Sequence, residues 1–270
     1  MRLSRRHVLA SGLALTAGPV RALDPGRASG RYVDERLTLA PMRAVALLQD
    51  NAEGLLERPS QLRVLVSETI VEVAALYGLA FPPVRALARR GAVRGLLLEF
   101  DPVDRTALRM TVLAKPEDPQ AFLATVSLSN SDTLWRRLEV APTRVVGELA
   151  SRDGLTLEFS APIFTDPVEA DLKGAAVRAS EPVKVLVARA EALGRGDLAA
   201  ARALSTKDAA ENFAALPPDV LRMVRDEAPT MLRDFMAAQR VVIRRATAAV
   251  QVKEGWASLV RVGETWKVGE

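Results

Sequence analysis

The sequence predicts an α+β protein. An antiparallel β-sandwich or barrel-like domain is expected over residues 28–172, followed by an α+β domain over residues 180–270. Three observations predict this order. Short runs rich in β-branched and aliphatic residues, separated by turn residues, fill the chain up to residue 172. The apolar spacing then becomes helical after Ser180. With 49% apolar residues and no cysteine, the chain must be held by burial alone, and its length allows that.

Residues 1–22 read as an export signal cleaved after Ala22. Arg2, Arg5 and Arg6 precede an apolar stretch over residues 8–20, and Val20 and Ala22 occupy the −3 and −1 positions of the cut. The stretch contains Ser11, Gly12, Thr16 and Gly18 and is shorter than the roughly 20 apolar residues a bilayer span needs. Ser4, Arg5, Arg6 and Leu9 resemble the twin-arginine signal, Ser/Thr-Arg-Arg-x-Phe-Leu-Lys; Val8 and Ala10 depart from it. An ordinary secretory signal with two arginines is the alternative. The resemblance implies a bacterial protein exported to the periplasm. No cysteine follows the apolar stretch, so a lipid anchor there is excluded.

The β region follows. Residues 31–33 and 36–39 flank Asp34-Glu35 as a tight hairpin, and residues 42–48 continue as a third strand. Further strands are expected at 62–66, 93–100, 107–113, 122–128, 134–140, 144–149 and 155–161. Turn signals separate them, among them Asp101-Pro102, Lys115-Pro116, Ala141-Pro142 and Asp153-Gly154. One helix interrupts the strands at residues 83–90, with Pro83 at its start and Gly91 just past its end. Residues 173–179 read as a linker.

Beyond it, Val183, Leu186, Val187, Ala190 and Leu193 form one apolar stripe of a helix, with Ser180 as its cap. Asp197 caps a second helix over 198–204, a third spans 207–216, and a fourth spans 220–227. Pro229 is expected to start a fifth on a new axis, 230–239. A meander ends the chain: one long strand over 240–253, then 256–262 and 265–268, with turns at Glu254-Gly255 and Gly263-Glu264.

Helices followed by a long strand and two short ones, ending in Glu264-Thr265-Trp266-Lys267-Val268, resemble the nuclear transport factor 2-like superfamily. So does a helix running into Gly196-Asp197. The likeness covers residues 180–270. It implies a curved sheet wrapped around a helix as a cone with an apolar pocket, and a homodimer through this domain. Phe213, Phe235, Trp256 and Trp266 are the candidates to line that pocket, with Trp256 the best placed. Fold does not select function among these proteins. The steroid-isomerase version needs a carboxylate base inside the closing strands with Tyr and Asp donors. Here the acids after residue 240 are Glu254, Glu264 and Glu270, in turns or at the last position, and both tyrosines, Tyr32 and Tyr77, precede the domain.

Removal of residues 1–22 also takes away His7, the single histidine, and four arginines with no acid. Taking these four from the 37 Lys+Arg leaves 33, equal to the 33 Asp+Glu, so the remaining chain has no net charge. A neutral chain with 4% aromatics does not suit nucleic acid. Without His or Cys, serine-triad catalysis and zinc sites fall away, and no metal or cofactor is expected. Ser129-Asn130-Ser131-Asp132 reads as a polar turn, and Asp219, Asp226 and Asp234 as helix-face charges. Arg85, Arg89, Arg90 and Arg94, and Arg136-Arg137 beside Trp135, read as a solvated helix end and a strand edge.

Three functions remain: a non-catalytic exported interaction protein with a protein partner, a carrier or sensor of a small apolar ligand, and an enzyme using carboxylates, serines or lysines. Export through the twin-arginine route is testable directly. Arg5→Lys with Arg6→Lys should retain the precursor in the cytoplasm, scored by fractionation; normal secretion of that variant would contradict the assignment.

Overall fold

The computed structural model describes residues 24, 26–34, 37–54, 59–78, 82–105, 107–117, 123–129, 133–151 and 154–269. The export signal, its cleavage point after Ala22, and Asn130, Ser131 and Asp132 of the polar turn lie outside these residues.

Ten short strands build the first sheet: β1 (Arg27–Asp34), β2 (Leu37–Leu39), β3 (Arg43–Asp50), β4 (Ser60–Ser67), β5 (Gly95–Phe100), β6 (Ala107–Leu113), β7 (Thr125–Ser129), β8 (Thr133–Ala141), β9 (Arg144–Ser151) and β10 (Thr156–Thr165). Their order is β7-β6-β5-β4-β3-β1-β10-β9-β8, with β2 paired to β1. The sheet is antiparallel except where Ala46, Leu47 and Leu48 of β3 run parallel to Ile163, Phe164 and Thr165 of β10. β1 meets β3 through the pair Arg27 and Arg43. The sheet curls over one core as a half-barrel. This is the coarse form of the expected sandwich or barrel: one curled sheet closed by side chains.

Period-two alternation explains the closure. Leu62, Val64 and Val66, Leu96, Leu98 and Phe100, and Leu108, Met110 and Val112 line the inner face, against Val145, Leu149, Leu157 and Phe159 from the opposite arm. Trp135 of β8 bridges the arms, with ring centroids 5.4 Å from Phe100 and 6.5 Å from Phe159. Gly147 faces Phe159 across the ladder, and a Cβ there would lie 2.4 Å from the ring, so the arm closes only around a glycine.

The outer face of β3–β5 is covered too. Leu47, Leu65 and Leu97 pack under a 3-10 turn (Val73–Leu76) and helix α1 (Val84–Arg89) through Leu76, Val84 and Ala88. Both faces of β4 and β5 are therefore buried, which is why they read as nearly continuous apolar runs.

The second sheet is a five-stranded antiparallel meander: β11 (Val168–Lys173), β12 (Arg240–Arg244), β13 (Thr247–Val252), β14 (Gly255–Val262) and β15 (Thr265–Val268). Between β11 and β12 come α2 (Ala175–Ala179), α3 (Glu181–Gly194), α4 (Leu198–Ala203), α5 (Lys207–Ala214) and α6 (Pro218–Met236). Val183 and Leu186 of α3 pack on Val241, Val250, Leu259 and Val268. Asp197 caps α4 by accepting from the Ala200 N–H at 3.0 Å. Ser180 precedes α3, but its hydroxyl donates backward to the Val177 carbonyl.

Four expectations are corrected. The division between the sheets falls at Asp166 and Pro167, because residues 168–173 pair with β12. The linker expected at 173–179 is mostly helix α2. The long strand over 240–253 is a hairpin, β12 and β13, turning at Arg245 and Ala246. The Ala246 N–H donates to the Asp166 carboxylate at 2.7 Å, so a distant side chain fixes a turn that carries no Gly, Pro or Asn. Finally, α6 runs unbroken through Pro229. Pro229 and Arg225 are both exposed, so the carbonyl that loses its intrahelical donor lies on the watered side.

Candidate functional site

Two buried arginines organise the surroundings of the site. Arg63 sits in β4 opposite Glu99 of β5, and Glu99 sits opposite Arg109 of β6. Arg63 Nε donates to Glu99 at 3.1 Å, and its Nη1 reaches Gln49 and the carbonyls of Leu76 and Gly78. Arg85 of α1 donates to the other Glu99 oxygen at 3.2 Å. This network ties the segment leading to Tyr77 and Gly78 down onto the first sheet.

Arg244 joins the two sheets. It ends β12, is 1% exposed, and grips Glu53 with two bonds of 2.9 and 2.8 Å. It also donates to Asp50 at 2.5 Å and to the Asp166 carbonyl at 3.0 Å. Burial opposes its charge, but Glu53 and Asp50 outweigh that and raise its pKa. Asp166 accepts from Thr247 Oγ1 at 2.6 Å; burial is the largest influence on its carboxyl and raises the pKa. Burial also works against the Asp50 charge, yet the bonds from Arg244 and the Ala52 N–H leave its pKa below the ordinary value. Arg240 pairs with Asp171 at 2.8 and 2.9 Å, donates to the Ala52 carbonyl, and lies 5.9 Å from the Trp256 ring. Its hydrogen bond holds the Asp171 carboxyl low.

The docked sheets leave a cavity of about 410 Å³. Gln49, Glu53, Tyr77, Gly78 and Pro83 line it from the first sheet and its cover; Leu186, Arg189 and Phe235 line it from α3 and α6. The second sheet contributes from both faces. Thr247, Ala249, Trp256, Ser258 and Val260 share the register of Arg240 and Arg244, while Ala248, Leu259 and Val268 share that of the helix-packed face. This follows from unequal strands: β15 pairs with Leu259–Val262, leaving the first half of β14 as an open corner around which the cavity reaches.

Of the four aromatic residues expected in a pocket, Phe235 and Trp256 line this cavity. Phe213 is buried in a separate helical cluster with Ala192, Leu193 and Ala228. Trp266 packs in the second core, lines a different groove beside Thr265 and Lys267, and has the Arg261 guanidinium 4.5 Å from its ring. Sequence reasoning missed Tyr77, Glu53 and Arg189. It also missed Arg63, Glu99 and Arg244, although Arg63 and Glu99 are each a lone charge inside an apolar run, and that signal was available.

The surface arginines of the sequence reading do not form one patch. Arg94 pairs with Glu68, Arg90 with Glu211, Arg136 with Glu148 and Arg137 with Glu139, while Arg85 reaches inward to Glu99. Among the described residues, no three acidic side chains converge as a cation site. Asp219 and Asp226 are exposed on α6 and Asp234 is half-buried there; none of them lines the cavity. Glu53 is the one carboxylate among the lining residues, and both its oxygens are held by Arg244. Burial first, then the Asp166 charge, raises the Tyr77 phenol pKa. Searches with the chain find no matching protein-family model, no matching curated protein and no matching solved structure.

Two outcomes follow from the Arg244 joint. Arg244→Met leaves Glu53 buried without its partner and should cost about 3–5 kcal/mol in urea unfolding, much of it regained in Arg244→Met with Glu53→Leu. Equal loss in the single and double variants would contradict a buried pair. The pH dependence has a definite sign. Asp50 and Asp171 titrate below their ordinary value, so their contribution is complete above about pH 4 and is lost as pH falls through their folded values. Asp166 titrates high and acts oppositely. The melting temperature should therefore fall below about pH 4, measured by circular dichroism.

Proposed function

We propose that this chain is an exported, non-catalytic binding protein that holds a small, largely apolar ligand between its two sheets. One observation carries the reading: the cavity of about 410 Å³ walled mainly by apolar residues, among them Leu186, Phe235, Trp256, Leu259 and Val260. Its size and lining fall within the usual range of small-molecule sites, about 300–1,000 Å³. Export rests on Arg5, Arg6 and the apolar stretch before Ala22.

The second sheet is read as a variant of the nuclear transport factor 2-like cone. Helices α3 and α6 before a closing meander support that reading, as does α3 lying on the apolar face. The hairpin β12–β13 stands where the superfamily's long strand was expected.

A neutral apolar fluorophore, N-phenyl-1-naphthylamine, tests the cavity. Titrated into the protein it should brighten and shift to the blue. Ser258→Phe, at an exposed lining position, fills the space and should weaken binding about tenfold. Absence of the signal, or equal binding by the variant with a normal melting curve, would overturn the reading.

A further inference from the structure

We propose that Arg189 is the seat for the carboxylate of an amphipathic monocarboxylic acid whose apolar tail fills the cavity; this rests on the binding function proposed above. Arg189 stands one turn after Leu186 on α3, and both line the space. Three arginines at the joint of the sheets are each matched to an acid: Arg63 to Glu99, Arg240 to Asp171, and Arg244 to Glu53 and Asp50. Arg189 is not. Its Nε donates to Ser205 Oγ at 3.1 Å, and its guanidinium lies 5.8 Å from the Phe213 ring.

A hydroxyl and an aromatic face orient a guanidinium without neutralising it. Ser205 is itself fixed, because its hydroxyl donates to the Ala201 carbonyl at 3.0 Å and its backbone bridges to Val268. Burial alone pulls the Arg189 pKa down, the mark of a charge moved out of water with no counter-charge beside it. With Nε on Ser205, the two terminal nitrogens offer parallel N–H groups that match the two oxygens of a carboxylate.

The rest of the cavity selects the ligand class. Glu53 is occupied by Arg244 and Asp166 by Thr247 and Ala246, so these acids are already committed. A single guanidinium balances a single negative charge; a phosphate dianion would leave one charge unmatched. Leu186, Phe235, Trp256 and Leu259 then offer apolar contact to the tail.

Calorimetric titration with sodium decanoate, 1-decanol and decyl phosphate separates the alternatives. The wild type should bind decanoate at least about tenfold more tightly than decanol, and more tightly than decyl phosphate. Arg189→Met should lose about ten- to hundredfold in decanoate affinity and far less in decanol affinity. Arg189→Lys keeps the charge but loses the fork, and should fall between the two; it decides the matter if the Met variant does not melt cooperatively. Equal wild-type affinity for decanoate and decanol, or decanoate binding that survives both substitutions, overturns the seat while leaving the cavity reading intact. Tighter binding of decyl phosphate overturns the carboxylate assignment. Failure of all three amphiphiles together with N-phenyl-1-naphthylamine removes the cavity reading itself.

Discussion

The grip of Arg244 on Glu53 and Asp50 is the constraint on which the arrangement of the two sheets depends. A guanidinium at 1% exposure is costly to bury, and its cost is offset because donors on all three nitrogens meet acceptors from the first sheet and its exit. Such a joint is directional. Apolar contact alone would allow the sheets to slide, whereas a bidentate pair with a third acid and a carbonyl fixes one register. The same residues turn the chain: Asp166 leaves β10, supplies a carbonyl to Arg244, and shapes the β12–β13 turn with its carboxylate. Docking and folding of the second sheet are therefore coupled through one short segment.

Local chemistry was legible where it is self-contained. The strands around 62–66 and 95–100 announce themselves through β-branched and aliphatic runs, and α3 through its apolar stripe. The helix at 83–90 is marked by proline before and glycine after, and the structure places α1 within it. What was not legible depends on partners far away in sequence. Val241 to Val252 contains no turn residue of the usual kinds, so one strand was expected; Asp166 makes it two. The curl of the first sheet rests on β3 choosing β10 as a parallel neighbour, which composition does not encode.

The cavity shows the same division. Phe235 and Trp256 line it, as the likeness to the cone implies. Phe213 and Trp266 carried the same local signal and lie elsewhere, since position relative to a second sheet is a tertiary property. Tyr77 belongs to the first unit and enters the site through docking. Arg189 looks like any helix-flank cation in one dimension. In three, its place on Ser205 with no acid beside it among the described residues becomes visible.

The wide separation of β11 from β12 along the chain has a consequence for assembly. Five helices intervene, so β11 has no ladder partner until the last third of the molecule has been made. Closing so long a loop carries an entropic cost and makes this pairing a late event, whereas hairpins such as β8–β9 can form as they emerge. Arg244 arrives on that same late strand. The cavity between the sheets thus takes shape only after β12 has joined β11, and an intermediate that contains the half-barrel alone lacks it.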